Sequence, residues 1–289
     1  MFQNFKKHKL LFVVFLFLCI TIFIFYISWH NYHRGFTFAM LDVGQGDALF
    51  IESPTGIQIL FDTGPNGKVL SELTHVMHFY DKSIDAIFIT NPDLDHIGGL
   101  DDILKNYKVE KVFESGTQND SKTYQNLKTE IKNQNIKEIL AKKGMKLDIG
   151  GGVFIDILFP DRDVSTWDRN DGSIVAHLSY GDTSFMLMGD ATKKAEKIIL
   201  ENNKKEDLRS VFLKTGHHGS RTSSSLEFIK TILPKYSLIS VSEKNKYGHP
   251  HKETLDILSS INSKIFRTDE SGTIVIKSDG QNESFLFFK

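Results

Sequence analysis

The chain has 289 residues, enough for one large domain or two small ones, with 40% hydrophobic and 25% charged residues. Its 35 basic and 36 acidic residues leave a formal net charge of −1, which excludes a global basic surface for capturing a long polyanion. Its single cysteine, Cys19, excludes a disulfide framework.

Residues 1–34 are predicted to form a short cytoplasmic tip and a transmembrane signal anchor. Lysines precede an apolar run over 10–29, whose length of about 20 residues is that of a membrane-spanning helix. No small-residue cleavage site follows, which favours a retained anchor over a cleaved signal. Because most of the basic residues lie before the span, the protein is predicted to be a single-pass cell-membrane protein whose residues 35–289 are extracytoplasmic.

Residues 35–289 hold 31 basic and 36 acidic residues and are predicted to form one domain, since no repeat or Pro/Gly-rich linker divides them. β-Branched and alternating runs predict strands over 36–43, 48–52, 57–61, 84–89, 109–113, 153–159, 174–180, 184–188, 211–214, 237–241, 264–266, 273–277 and 284–288. Helical periodicity predicts helices over 69–80, 124–133, 193–203, 226–233 and 254–260. The pattern predicts an α/β fold of two packed mixed sheets, with the Phe-rich C-terminus as a buried closing strand.

Polar residues cluster where several predicted strands end. The segments are Asp62-Thr63-Gly64, Asn91 to His96, Gly189-Asp190, His217 to Ser220 and Tyr247 to His251. Because strand-end loops on one edge of such sheets converge on a ligand, these residues are predicted to form one site.

The densest of these segments places Asp93, Asp95 and His96 within four residues, directly after an apolar strand. Two like charges ~4 Å apart repel by ~4 kcal/mol at an effective dielectric of ~20, so the cluster predicts a bound cation. Helix capping explains one aspartate here, but not two with a histidine.

These segments resemble the metallo-β-lactamase superfamily, whose signature is His-x-His-x-Asp-His after a strand, followed by a bridging Asp and a distal His. Within it, the chain resembles the soluble hydrolase domain of ComEC-type DNA-uptake (competence) proteins. The segments that carry the resemblance, in the family's order, are Leu41 to Ala48, Asp62 to Gly64, Pro92 to Gly99, Asn170 to Ser173, Gly189-Asp190, His217 to Ser220 and Tyr247 to His251. The resemblance implies an αββα sandwich with two divalent metal ions, zinc or manganese, between the sheets.

By this resemblance, Asp95 and His96 bind the second metal ion and Asp190 bridges both ions. The remaining ligand of the second ion is expected to be His217 or His218, and the sequence leaves both open.

The first metal ion would use Asn91, Asp93 and a ligand from the 170–173 loop, at Asn170. Here the chain departs from the family, because amide and carboxylate side chains stand where histidines are usual. Zinc favours nitrogen and sulfur, whereas manganese accepts oxygen ligands. The first site is therefore expected to bind zinc weakly, and to be filled by manganese or only together with substrate.

The resemblance implies a metal-dependent hydrolase, a phosphodiesterase or nuclease that cleaves DNA through a metal-bound hydroxide. Asp95 and Asp190 would hold and position the nucleophile, while His249 or His218 protonates the leaving oxygen. Asp62 is either a residue that orients a ligand or a turn residue.

The Gly-rich segment 42–47 is interpreted as a turn rather than a phosphate cradle. Lysines at 244, 246 and 252 flank Tyr247 and are the one local indication of contact with single-stranded DNA. Two other functions stay open: hydrolysis of another envelope phosphoester, such as a phosphorylcholine-decorated polymer, and a non-catalytic binding module in which Asn91 marks a decayed metal site.

Overall fold

The computed structural model describes residues 2–32 and 35–289. Helix α1, Phe2–Tyr32, exposes large apolar side chains from Leu11 to Phe25. Within this described part of the chain, no helix meets both the length and the apolarity needed to span a membrane. The predicted anchor over 10–29 includes, at both of its ends, residues whose side chains lie outside the described ones. Arg34, which follows the anchor, also lies outside the described residues.

The remaining elements lie in residues 35–289. The strands are β1 (Phe36–Met40), β2 (Leu49–Glu52), β3 (Gln58–Phe61), β4 (Ser83–Ile89), β5 (Lys108–Glu114), β6 (Lys137–Leu140), β7 (Lys146–Asp148), β8 (Val153–Phe159), β9 (Val175–Tyr180), β10 (Thr183–Leu187), β11 (Phe212–Lys214), β12 (Tyr236–Ile239), β13 (Lys264–Arg267), β14 (Thr273–Ser278) and β15 (Glu283–Phe288). The helices are α2 (Lys68–Leu73), α3 (Leu94–Ile97), α4 (Leu100–Asn106), α5 (Lys122–Asn133), α6 (Lys193–Asn202), α7 (Leu226–Ile232), α8 (Lys252–Ser260) and α9 (Thr268–Ser271).

The strands form two mixed sheets. The first has the order β15-β14-β1-β2-β3-β4-β5-β6 and the second the order β13-β12-β11-β10-β9-β8-β7. Strands β3 to β6 pair in parallel, and so do β10 to β13. Because the carboxyl ends of neighbouring parallel strands lie at the same edge of a sheet, each sheet presents one row of strand-end loops.

Apolar side chains fill three layers, one between the sheets and one outside each sheet, under the helices. In the middle layer, the rings of Phe61, Phe88 and Phe113 stack with centroid separations of 4.3 and 4.4 Å. Phe88 faces the other sheet, while Ile87 and Ile89 face the helix layer, so β4 is buried on both faces. This explains its continuous apolar run. The predicted α/β sandwich of two mixed sheets is confirmed.

The structure corrects two predictions and adds two strands. Helix α2 ends at Leu73 rather than Tyr80, because the apolar residues that extended the periodic pattern, Phe79 and Tyr80, are exposed in a turn. The C-terminal strand β15 is not buried, since it lies at the edge of its sheet and leaves Leu286 and Phe287 more than two-fifths exposed. The short strands β6 and β7 were not predicted, because each spans only three or four residues at the edge of its sheet.

Candidate metal centre

The strand-end loops of both sheets meet at one place. Asp62 follows β3 and Asp95 follows β4 in the first sheet, while Asp190 follows β10 and His218 follows β11 in the second. Residues far apart in the chain are thereby brought into one cleft between the sheets.

Four side chains form the centre: Asp95, His96, Asp190 and His218. Their ligand atoms all lie within 4.8 Å of one another. His96 Nε2 is 3.1 Å from Asp190 Oδ2, and His218 Nε2 is 3.2 Å from Asp95 Oδ2 and 3.6 Å from Asp190 Oδ1. Asp95 is the one partly exposed member, at 33% of its side chain, so it marks the open side of the centre.

Hydrogen bonds on the far side of each imidazole orient the two rings. His96 Nδ1 donates to Asp62 Oδ2 at 2.8 Å, and Asp62 in turn accepts from the Thr90 backbone N–H at 2.8 Å and from its hydroxyl at 2.5 Å. His218 Nδ1 donates to the carbonyl oxygen of Ser240 at 3.0 Å. With the proton held on Nδ1 in both rings, the two Nε2 atoms face the centre, as in histidines that bind metal ions.

The charged groups of the centre shift one another's pKa values. Burial acts to raise the pKa of Asp190, but the neighbouring imidazoles of His96 and His218 outweigh it and hold that pKa well below its usual range. Burial likewise acts to lower the pKa of His218, yet Asp190 and Asp47 raise it to about 10. In the protein without a cation, imidazolium protons therefore balance the carboxylates.

A divalent metal ion fits this donor set. Two buried atoms of the centre, His96 Nε2 and Asp190 Oδ1, have no hydrogen-bond partner among the described residues. Imidazole nitrogen and carboxylate oxygen are ligands for zinc and manganese, and a bound ion would replace the protons that now balance the charge.

His217 and His218 occupy an uncommon backbone conformation. Their φ angles are +48° and +54°, although neither residue is glycine. Such left-handed residues cost about 1–2 kcal/mol each and persist where surrounding contacts hold them. One such contact is the His217 backbone N–H, which donates to the carbonyl of Gly189 at 3.1 Å. The turn sends the His218 ring into the centre, whereas His217 lies nearer the surface.

Of the two histidines left open by the sequence, His218 is the member of the four-residue centre. His217 Nε2 lies 3.9 Å from Asp190 Oδ2, and its Nδ1 is 3.1 Å from the Thr222 hydroxyl. The His249 ring packs against His217 with centroids 5.4 Å apart. Burial, together with the neighbouring histidines, lowers the pKa of His249 to about 4, so this ring is neutral at pH 7.

The residues expected to bind the first metal ion differ from those of the four-residue centre in their contacts. Asn91, Asp93 and Asn170 do come together, but their polar atoms already bind protein groups. Asn91 Nδ2 donates to Asn170 Oδ1 at 2.6 Å, and Asn91 Oδ1 accepts from the Asp93 backbone N–H at 3.0 Å. Asp93 Oδ1 lies 2.5 Å from Arg169 Nε. As arranged, these residues do not fit a metal ion.

Sequence reasoning missed a buried ion pair below the centre. The ammonium group of Lys214 bonds to Asp47 Oδ2 and donates to the Gly189 carbonyl at 3.1 Å, and both charged side chains are fully buried. Asp47 Oδ1 is also 3.5 Å from His218 Nδ1. A lysine inside an apolar strand is the signal that could have revealed the pair, because a buried lysine requires a counter-charge.

The Gly-rich segment 42–47 is a turn, as predicted, with Gly44 at φ +83°. The turn also packs against the centre: the Asp47 backbone N–H donates to the Asp95 carbonyl, and a Cβ on Gly46 would lie 2.2 Å from that oxygen. Of the three lysines near Tyr247, Lys252 is paired with Asp256 at 2.6 Å, while Lys246 lies over the Tyr247 ring.

A two-sheet sandwich with aspartates and histidines at the strand ends defines the class of this protein. Residues 41–243 match the Metallo-beta-lactamase superfamily, and the chain belongs to that superfamily.

Its relatives include proteins with names from competence and recombination. The chain is 31% identical over 253 residues to ComE operon protein 3 of Bacillus subtilis (strain 168), covering 81% of this chain and 32% of that protein. It is 29% identical over 238 residues to Recombination protein 2 of Haemophilus influenzae, covering 81% of this chain and 28% of that protein. The chain thus spans about a third of the length of these relatives. Among solved structures, CmlA, a diiron beta-hydroxylase from Streptomyces venezuelae, shares the fold with a TM-score of 0.54 at 11% identity, covering 85% of this chain and 54% of that one.

Proposed function

We propose that the protein is a metal-dependent phosphodiesterase that cleaves single-stranded DNA outside the membrane to which its N-terminal helix tethers it. The observation that carries the proposal is the centre of Asp95, His96, Asp190 and His218, in which two imidazoles are oriented by Asp62 and Ser240 toward two carboxylates. This arrangement is suited to holding a divalent ion with one side open, at Asp95.

A divalent ion held by these residues supplies a Lewis acid and lowers the pKa of a water molecule from ~15.7 toward ~7. The side chains do the rest. Asp95 and Asp190 supply the negative charge that balances the ion, and Asp62 keeps the His96 proton on Nδ1. We assign the proton for the leaving oxygen to His249, because its ring packs on His217 beside the centre and its buried Nδ1 has no partner among the described residues. The negative charge of a bound phosphodiester would raise the low pKa of this imidazole, so the ring, neutral in the free protein, would take up from solvent the proton that it then donates to the leaving oxygen.

Two features favour DNA as the substrate. Relatives of the chain are named Recombination protein 2 and, in Neisseria gonorrhoeae, Competence protein ComA, which is 25% identical over 81% of this chain. Tyr247 is more than half exposed, stacks near the His249 ring at 5.7 Å, and carries the Lys246 ammonium over its face. An aromatic ring beside a cation is a surface on which unpaired bases stack.

The membrane tether rests on helix α1, whose apolar side chains between Leu11 and Phe25 are exposed on all sides. Together with the lysines before this segment, they favour a single pass with the N-terminus in the cytoplasm. A reporter fused to the C-terminus should be active only outside the cytoplasm. Activity restricted to the cytoplasm would reverse the proposed topology.

The activity is tested with the full chain purified in detergent and supplied with manganese or zinc. Single-stranded DNA and small phosphoesters, including a phosphorylcholine ester, serve as substrates. The wild type should cleave DNA, and Asp95→Ala should lose at least about 100-fold, because even outer partners of metal ligands contribute 10–100-fold. Asp101→Ala is the matched control, since Asp101 is an exposed residue of α4 paired with Lys105.

The same experiment separates the alternatives. Cleavage of small phosphoesters without cleavage of DNA would favour an envelope phosphoester as the substrate. No turnover with any metal would favour the non-catalytic binding module. Equal rates for the wild type and Asp95→Ala would show that the reaction occurs elsewhere.

A further inference from the structure

A guanidinium group is bonded to Asp93, one of the residues that the resemblance assigns to the first metal ion. Arg169 Nε is 2.5 Å from Asp93 Oδ1, and the Asn119 side chain lies 3.4 Å from the same oxygen. The neighbouring Asn91 and Asn170 are bonded to each other. Each of the three expected ligands therefore has a protein partner.

We infer that Arg169 takes the place of the first metal ion and that the chain holds a single divalent ion, at Asp95, His96, Asp190 and His218. The two positions differ in chemistry. The second offers two imidazole nitrogens with their Nδ1 atoms already bonded elsewhere, whereas the first offers two amides and one carboxylate. Neutral amide oxygens are weak ligands for zinc, so a permanent cation from the chain itself is the better partner for Asp93.

The charge of the site agrees with one ion. Of the carboxylates on the side of the two metal positions, Asp93, Asp95 and Asp190 carry three negative charges, which one divalent ion and one guanidinium match; Asp62 lies behind His96 and is bonded to the Thr90 backbone N–H, the Thr90 hydroxyl and His96 Nδ1. A second divalent ion beside Asp93 would lie next to the fixed positive charge of Arg169 and would be repelled by it. Arginine cannot relieve this repulsion by losing its proton.

Two hydrogen bonds hold the loop on the C-terminal side of Arg169. Asp171 accepts from the Thr192 hydroxyl at 2.5 Å, and the Ile174 backbone N–H donates to the Thr90 carbonyl at 3.0 Å. The second bond ties the loop to the same Thr90 that positions Asp62. Between them, a Cβ on Gly172 would lie 2.3 Å from the methyl group of Thr117, so the loop packs too closely there for a side chain. These contacts fix the part of the loop that directly follows Arg169.

Arg169 has a second role that rests on the proposed phosphodiester substrate. Its side chain is 44% exposed, and the bond to Asp93 uses Nε. The two Nη groups can therefore bind a phosphoryl oxygen, which arginine does through paired donors. In this way, the guanidinium supplies the positive charge that the first metal ion would otherwise bring to the substrate.

The number of bound ions is the test, and it does not depend on activity. The full chain in detergent is dialysed against manganese and, separately, zinc, and the metal bound per chain is counted by mass spectrometry. We expect one ion in the wild type, one in Asp93→Ala and none held tightly in Asp95→Ala. Arg169→Ala should take up an additional, weakly held manganese ion because Asp93 is freed, whereas Arg169→Lys, which keeps the charge, should not.

Arg162→Ala is the matched control, because Arg162 is exposed and paired with Asp161. Electron paramagnetic resonance gives a second readout: the manganese-loaded wild type should show the spectrum of an isolated ion. Two ions per wild-type chain, with one lost in Asp93→Ala, would overturn the inference, and so would a spin-coupled manganese pair. A protein that binds one ion but cleaves no phosphoester would leave the inference standing and remove the proposed function.

Discussion

Replacing Asp62 by asparagine tests whether the orientation of His96 governs metal binding. Asp62 is buried and accepts three hydrogen bonds, from the Thr90 backbone, the Thr90 hydroxyl and His96 Nδ1. Asparagine keeps the shape and can keep the bond to the Thr90 backbone. Its amide group, however, is a donor where a carboxylate oxygen now accepts from His96. To keep that bond, the His96 proton must move to Nε2, which removes the lone pair that faces the centre.

The expected cost is a 10–100-fold weaker metal affinity, or about 1.4–2.7 kcal/mol, the range for partners that orient a histidine ligand. Affinity is measured by competition with a chelator of known strength, on the full chain at constant pH. Thr90→Ser is the matched control, since it retains both the backbone N–H and the hydroxyl that bond to Asp62. An Asp62→Asn protein that unfolds at the wild-type temperature and binds metal within twofold of the wild type would refute the orienting role.

Three further predictions concern charge. Because surrounding carboxylates raise the pKa of His96 and of His218, the latter to about 10, both rings are protonated at neutral pH in the protein without a cation. Metal binding must release these two protons, so the metal affinity should rise by up to ~100-fold per pH unit between pH 6 and 8. Calorimetry in buffers of different ionisation heat counts the released protons. A count near zero would contradict the prediction. For the same reason, the protonated His218 ring stabilises the metal-free protein. This stabilisation is fully present below the pKa of a histidine in the unfolded chain, ~6.5, and is lost as the pH rises through the raised pKa of His218. Lys214→Met should lower the free energy of unfolding by about 3–5 kcal/mol, because it removes the ammonium group bonded to the buried Asp47 carboxylate and leaves only the more distant His218 ring beside it. Urea denaturation measures this loss, and adding Asp47→Asn to Lys214→Met should recover most of it. A Lys214→Met protein whose free energy of unfolding is within about 1 kcal/mol of the wild type would be incompatible with a charged pair.

Much of the fold follows from local patterns. Strand β8 is predicted with its observed bounds, because its side chains alternate between the middle layer and the outer face. Helix α6 differs by one residue at its C-terminal end. The failures lie at edges and turns: β7 is a strand of only three residues at a sheet edge, and the residues after α2 continue a helical pattern although the rings of Phe79 and Tyr80 are exposed.

The sequence by itself determined the family of this protein and predicted which strand ends carry its polar cluster. Asp95 and His96 are adjacent in one motif after a buried strand, and Asp190 follows another strand, so their residue types and positions predict a cation site at the strand ends. That inference needs only the rule that polar strand ends share one edge of a sheet.

The tertiary structure decided which side chains complete the site. Two left-handed residues turn His218 inward and leave His217 nearer the surface, Arg169 reaches Asp93 from a loop 76 residues further along the chain, and Lys214 meets Asp47 across 167 residues. Such pairings depend on loop backbone angles and on packing between two sheets, neither of which is encoded in a local pattern. Whether Asp93 faces a metal ion or an arginine is therefore a property of the folded chain.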